Sequence, residues 1–253
     1  MMNEYDKNGY FVIKQFFEND EIQVLRDVLQ DFHVSWKSKN TRIYAEKSIN
    51  SSYLTGTDHL DGAQRLVLFE FIGSSKLMHV ASSIMSKQPT FMNTQLFFNP
   101  VNAKQQNYWH RDPQYHLSIE EQEAALKGAE VIHFRIPLEA EPGIELVPGS
   151  HANWDSVEEL NVRLEKNGHK NYEPLTTGKK VKLETGDLLV FSANMIHRGL
   201  YGMERFALDI LFCDPEPSLV KFVSDDCLPN QNILNQLENA DAFVSTIELK
   251  AKR

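Results

Sequence analysis

Cysteine is nearly absent: Cys213 and Cys227 are the two in 253 residues. Two thiols are too few for a disulfide framework and match no metal-binding spacing. The expectation is a reduced, cytoplasmic setting with both as packing residues. No run of about 18 apolar residues occurs, so no membrane-spanning helix is expected. The opening "MMNEYDKNGYFVIKQFFEND" lacks the basic-then-apolar order of a signal peptide. Basic residues are also in deficit, with 26 Lys and Arg against 35 Asp and Glu and a formal net charge of −9. Nucleic acid selects for basic stripes, so it is not an expected partner, and neither is an anionic membrane surface. Small substrates stay open, because a few local arginines bind an anion even in an acidic protein.

The chain does hold enough apolar residues, 42%, for a full core, and fifteen phenylalanines. It shows no repeat, low-complexity tract or linker, so residues 1–253 read as one domain. "GYFVIKQF" alternates like a strand, and "NDEIQVLRDVLQDF" carries Ile22, Leu25, Val28, Leu29 and Phe32 at helical spacing behind Asn19 or Asp20 as cap. Residues 35–56 are polar and without period, the pattern of a functional loop. "DGAQRLVLFEFIG" and "SSKLMHVASSIM" read as helices.

From Thr90 onward the character changes. "TFMNTQLFFNP", "EVIHFRIPLEA", "IELVPGSH", "KKVKLETGDLLVFSA" and "RFALDILFCD" are strand-like and punctuated by Gly and Pro. Two helices interrupt them, each opened by a capping box: Ser118 with Glu121, and Ser156 with Glu159. The fold class is α+β with a mainly β core, a sandwich or jelly roll flanked by N-terminal and inserted helices.

Within "NYWHRDPQYH", His110 and Asp112 stand two apart at the end of a strand-like segment, with Pro113 next to stop further pairing. Alternate residues of an extended chain share a face, so an imidazole and a carboxylate there can point at one ion while Arg111 points away. The same spacing occurs in "HLD", His59 to Asp61, where Asp61 reads as a helix cap. A third ligand is needed, and His197 in "GDLLVFSANMIHRG" is the candidate, although a lone histidine at a strand end is as readily structural. Two imidazoles and one carboxylate bound facially are the ligand set of non-haem Fe(II) oxygenases. Three open positions then suit a bidentate keto acid and O2. A distal carboxylate needs a cation, and Arg205 follows His197 by eight residues, across "GLYG", on what reads as the neighbouring strand. Arg198 is the competitor and should face the other way.

These landmarks, from "GYFVIKQFFENDEIQVLRDVL" through "HRD" and "GIELVPGSH" to "GDLLVFSANMIHRGLYGMER", resemble the phytanoyl-CoA dioxygenase family of Fe(II)- and 2-oxoglutarate-dependent oxygenases. The likeness spans roughly residues 5–215, and the final forty residues add nothing to it. It implies a double-stranded β-helix (jelly roll, cupin-like), with iron held by His110, Asp112 and His197. It also implies 2-oxoglutarate as cosubstrate, anchored by Arg205, although the usual gap to that arginine is nearer ten residues. The strand before H-x-D often supplies polar contacts in this family, which makes Gln95 and Asn99 cofactor-binding candidates. "PGSH" is a family hallmark that reads physically as a tight turn, so His151 is not expected to ligate. A carboxylate at position 112, where related halogenases carry a small residue, favours hydroxylation.

The implied reaction oxidises a small organic substrate with O2 and releases succinate and CO2. Residues 35–56 and the insert 117–128 are candidates for a lid. Tyr108, Trp109 and Tyr115 are candidates for a substrate wall. Two other readings stand beside this one: a jelly-roll protein that binds a small ligand without turnover, and a zinc hydrolase on the same triad. No basic cluster awaits a coenzyme A phosphate, and neither the substrate nor the oligomeric state is legible.

Overall fold

Strict alternation along the central strands puts one face on helices and the other on a cavity. The computed structural model describes residues 1–252. Nine strands form two antiparallel sheets: β1 (Tyr10–Ile13), β2 (Asn50–Ser52), β3 (Thr90–Phe98), β4 (Val131–Pro137), β5 (Glu141–Leu146), β6 (Lys179–Leu183), β7 (Leu188–Ser192), β8 (His197–Gly199) and β9 (Phe206–Cys213). The larger sheet has the order β1-β7-β4-β9-β3-β2 and the smaller one β6-β5-β8. Together they make the jelly roll.

On the larger sheet, Ile132, Phe134 and Ile136 of β4 and Leu208, Ile210 and Phe212 of β9 enter the main core. The helix Asn19–Lys39 packs there through Ile22, Leu25, Val28, Leu29 and Phe32, the stripe legible in the sequence. Its first turn starts one residue earlier than the sequence suggests: Glu18 is the N-cap, and its N–H donates to Glu21 at 2.8 Å. Asp61 caps Gly62–Ile72 by accepting from the Gln64 N–H at 2.9 Å. Ser118 and Ser156 cap their short helices as the boxes predict.

The other face of the sheet carries His133 and Arg135 of β4, Asp209 of β9 and Gln95 of β3 toward the smaller sheet. A bulge on β3 between Phe91 and Asn93 brings Met92 and Asn93 both to the cavity.

One expectation needs correction. Residues 35–56 are not an irregular loop: the helix that starts at Asn19 runs on to Lys39, another spans Thr41–Glu46, and β2 pairs with β3. Trp36 and Tyr44 pack against the core and give this polar stretch an inner edge that no period betrays. Beyond the stretch that carries the family likeness, the chain forms further helices. The helix Asp241–Ala251 lies on β3, where the Thr246 hydroxyl donates to the Phe91 carbonyl at 2.6 Å. Both cysteines are buried and free. No helix among the described residues is long and apolar enough to cross a membrane.

Candidate active site

His110 and His197 meet through the backbone before their side chains do. His110 donates to the His197 carbonyl at 3.0 Å and accepts from the His197 N–H at 2.9 Å, an isolated antiparallel bridge beside β8. The two imidazole centroids are therefore 4.2 Å apart. Arg111 is extended, with φ −113° and ψ 139°, so His110 and Asp112 share a face and Arg111 takes the opposite one. The potential ligand atoms of His110, Asp112 and His197 lie within 4.8 Å of one another. Asp112 Oδ1 stands 3.5 Å from His110 Nε2 and 3.6 Å from His197 Nε2.

Each imidazole is held in one tautomer. His110 Nδ1 lies 3.2 Å from the Tyr108 carbonyl and His197 Nδ1 lies 3.0 Å from the Met195 carbonyl. A carbonyl only accepts, so both Nδ1 atoms carry the proton and both Nε2 lone pairs face Asp112. Burial lowers the pKa of His110 and takes that of His197 down to about 3, so both are neutral near pH 7. Burial alone would raise the Asp112 pKa, but the adjacent His133 and the other two imidazoles outweigh it and hold the carboxyl below its ordinary value. Two neutral imidazoles and a carboxylate with three clustered lone pairs are a donor set suited to a divalent transition metal.

Behind Asp112 runs a chain of alternating charge that the sequence reading missed. Asp112 Oδ2 meets His133 Nε2 at 2.8 Å, and His133 Nδ1 meets Asp209 Oδ2 at 3.2 Å. Both ring nitrogens face carboxylates, so both must donate. Burial opposes that charge, yet Asp112 and Asp209 outweigh it and raise the His133 pKa to about 9. Asp209 then pairs with Arg135 at 2.7 Å, and Arg135 pairs with Glu141 through two contacts of 2.8 and 2.9 Å. The signal for these residues was available: His133, Arg135 and Asp209 interrupt strands that are otherwise apolar, and a buried charge is costly unless paired.

Glu141 also reaches Arg205, at 3.7 Å. The Arg205 guanidinium is 3% exposed, donates to the Phe98 carbonyl at 3.1 Å, and has no hydrogen-bond partner for Nε. Burial lowers its pKa to about 10, which leaves it charged. The sequence reading put Arg205 on the strand next to His197, and the topology corrects that. β8 pairs with β5 in the smaller sheet, whereas β9, which Arg205 precedes, pairs with β3 and β4 in the larger one. The "GLYG" connection crosses between sheets. Gly199 permits the approach, since a Cβ there would lie 2.5 Å from Arg205 Nη2.

A cavity of about 670 Å³ joins these groups. His110, Asp112, His197, Arg205 and Gln95 all line it. Asn99 does not. β3 ends at Phe98, and the Asn99 amide turns out to the Gly202–Met203 turn, accepting at 2.9 Å and donating at 2.8 Å. Tyr108 and Tyr115 line the cavity, with hydroxyls 2.9 Å apart, whereas Trp109 is buried in a separate cluster with Val147, Val162 and Ile196. Arg198 faces away as expected, paired with Glu145 at 2.7 Å and lying over the Trp109 ring. His59 bonds Ser35, and His151 packs against Tyr5, both away from the cavity. The turn at Gly149 matters otherwise, because Ser150 Oγ accepts from the Ile196 N–H and supports the base of β8.

A model of the phytanoyl-CoA dioxygenase family matches residues 5–200. Among solved structures, AviO1 from Streptomyces viridochromogenes Tue57 is similar at 19% identity and TM-score 0.60, over 85% of this chain and 93% of that one. EctD from S. alaskensis with 2-oxoglutarate and 5-hydroxyectoine matches at 13% identity and TM-score 0.62, over 84% and 74%. HygX from Streptomyces hygroscopicus with nickel and 2-oxoglutarate matches at 13% and 0.59, over 83% and 84%. At such identities the likeness speaks for the fold. No curated protein matches the sequence.

Proposed function

The chain belongs to the phytanoyl-CoA dioxygenase family, and from that premise we propose that residues 1–253 act as one Fe(II)- and 2-oxoglutarate-dependent dioxygenase domain. The observation that carries this reading is the cluster of His110, Asp112 and His197, with both Nε2 lone pairs directed at the carboxylate. When bound, Fe(II) and 2-oxoglutarate supply O2 activation and oxidation of a substrate C–H bond, with succinate and CO2 as co-products. The structural neighbours named for bound 2-oxoglutarate lend the cosubstrate further support.

The chain's own residues do the rest. His110, Asp112 and His197 would hold the metal at the cavity wall. His133 fixes Asp112 by its second oxygen, so the first is free to ligate. Arg205 takes the distal carboxylate of the keto acid in a buried setting, where a charge-assisted pair is strong. Gln95, half-buried and without a side-chain partner among the described residues, lines the same cavity. Tyr115 stands beside His110, with ring centroids 5.7 Å apart, and helps exclude water from the metal face. Hydroxylation is the outcome proposed, because Asp112 occupies a position that a halide would need.

Anaerobic titration with Fe(II) and 2-oxoglutarate tests this directly. A metal-to-ligand charge-transfer band is expected from the wild-type protein and none from His110→Ala. A band of unchanged intensity in that variant removes the triad. Failure to release succinate with any substrate would leave a binding protein instead.

A further inference from the structure

One segment that lines the cavity lies beyond the family-matched residues. Ser218, Leu219, Lys221 and Phe222 line the cavity from the C-terminal side. Lys221 is exposed at the mouth, with its Nζ 4.9 Å over the Phe222 ring.

Charge on the lining is otherwise committed. Two carboxylates line the cavity, Asp112 and Asp209, in a chain with 35 Asp and Glu. Asp112 serves the triad and His133, and Asp209 is paired with Arg135 and His133. Arg135 is spent on Glu141 and Asp209, and Arg205 is assigned to the cosubstrate. The acidic residues flanking Lys221 in sequence are engaged elsewhere. Asp214 and Glu216 both reach Lys87, at 3.3 and 3.2 Å, Asp225 pairs with Lys250 at 2.9 Å, and Asp226 holds Thr57. Lys221 forms no ion pair among the described residues. Among the described residues lining the cavity, it is the cation left for a substrate once Arg205 is assigned to the cosubstrate.

Apart from His116, whose ring centroid lies 5.0 Å from that of Phe222, the remaining walls carry no charge-bearing side chain among the described residues. Val131, Leu211, Leu117 and Ala125 form an apolar side, while Asn50 and Ser52 present polar side chains with no protein partner among the described residues. A cationic substrate would meet no free carboxylate here. Resting on the oxygenase reading above, we propose that Lys221 determines specificity by binding the carboxylate of a small organic monoanion. The apolar body of that substrate lies along Val131, Leu211 and Phe222 toward the metal. A carboxylate is favoured over a phosphate monoester because one ammonium balances one charge. A single lysine likewise offers nothing for the several phosphate charges of a coenzyme A ester.

Four probes of one skeleton test this: 3-phenylpropanoate, its neutral amide, 3-phenylpropylamine and 2-phenylethyl phosphate. Their Kd values are read by calorimetry on the full chain with Fe(II) and 2-oxoglutarate under anaerobic conditions. The acid should bind about two- to fivefold tighter than the amide, with the amine weakest, as for one partly screened ion pair. Lys221→Arg should keep that order, and Lys221→Glu should reverse acid and amine. Equal binding of acid and amide, no binding of the acid, the phosphate binding tightest, or an unchanged order in Lys221→Glu each overturns the proposal. The charge-transfer band of the wild-type protein is a separate readout. Its absence counts against the oxygenase reading, whereas its presence beside a flat probe series counts against Lys221 alone.

Discussion

Replacing Gly199 by alanine adds one methyl group at the junction of the two sheets, and its consequence can be worked from distances. The backbone of Gly199 is ordinary strand in register with Ile144, so alanine adopts it without strain. Its Cβ, however, would stand 2.5 Å from Arg205 Nη2 and 3.3 Å from Arg205 Cζ. Ordinary contact begins near 3.4 Å, so the guanidinium must retreat by about 1 Å, a displacement large enough to matter for a positioned group. It has little room, being tied to the Phe98 carbonyl at 3.1 Å and held between the Phe97 and Tyr201 rings at 5.2 and 5.5 Å. Losing one of two charge-assisted hydrogen bonds to the distal carboxylate costs about 1.5–3 kcal/mol, a roughly 10- to 100-fold weaker Kd for 2-oxoglutarate. The assay is the anaerobic Fe(II) titration with 2-oxoglutarate as the variable ligand, and Arg205→Met supplies the upper limit of the effect. If folded Gly199→Ala binds 2-oxoglutarate within about twofold of wild type, Arg205 is not its anchor and the cross-sheet assignment fails.

Removing the link behind the metal should be felt at the metal. His133→Phe keeps the stacking on Phe191 but leaves Asp112 Oδ2 and Asp209 Oδ2 without their partner, and Ni(II) affinity by calorimetry should fall about 10- to 100-fold; unchanged affinity refutes a supporting role. Arg111 is 1% exposed and satisfies Asp155 together with the carbonyls of Ser150, Asn153 and Asn194. Arg111→Met should cost about 3–5 kcal/mol in urea unfolding, because it strands buried partners. A loss below about 1 kcal/mol contradicts that account. Acid stability should carry the mark of His33, a buried ring among Tyr44, Phe98 and Phe206 whose Nδ1 has no partner. Burial lowers its pKa from 6.5 to about 4. The folded state therefore resists its protonation, and the stability it contributes is complete above pH 6.5 and drains away as pH falls toward 4. His33→Phe should remove up to about 3 kcal/mol of that acid loss relative to wild type. Parallel pH profiles for the two proteins would refute it.

Features governed by local geometry are legible along the chain. The 3.6-residue stripe of Ile22 to Phe32, the caps at Asp61, Ser118 and Ser156, and the strands from Thr90 all follow from periods of a few residues. The shared face of His110 and Asp112, with Arg111 turned away, is likewise a property of any extended tripeptide. Residues 35–56 were illegible because Trp36 and Tyr44 are buried by distant partners rather than by a repeating stripe.

How far-apart residues meet is set by the folded molecule as a whole. The His110–His197 bridge depends on the loop that bears His110 docking along β8. The chain from Asp112 through His133, Asp209, Arg135 and Glu141 to Arg205 depends on the register of β4 against β9 and on how the two sheets face each other. Spacing along the chain put Arg205 beside His197, but the crossing between sheets put it opposite, in the gap that Gly199 leaves. The physical reason is the same in each case. A hydrogen bond or ion pair between strands is set by register and sheet order, and those are fixed by packing the whole core rather than by any one segment.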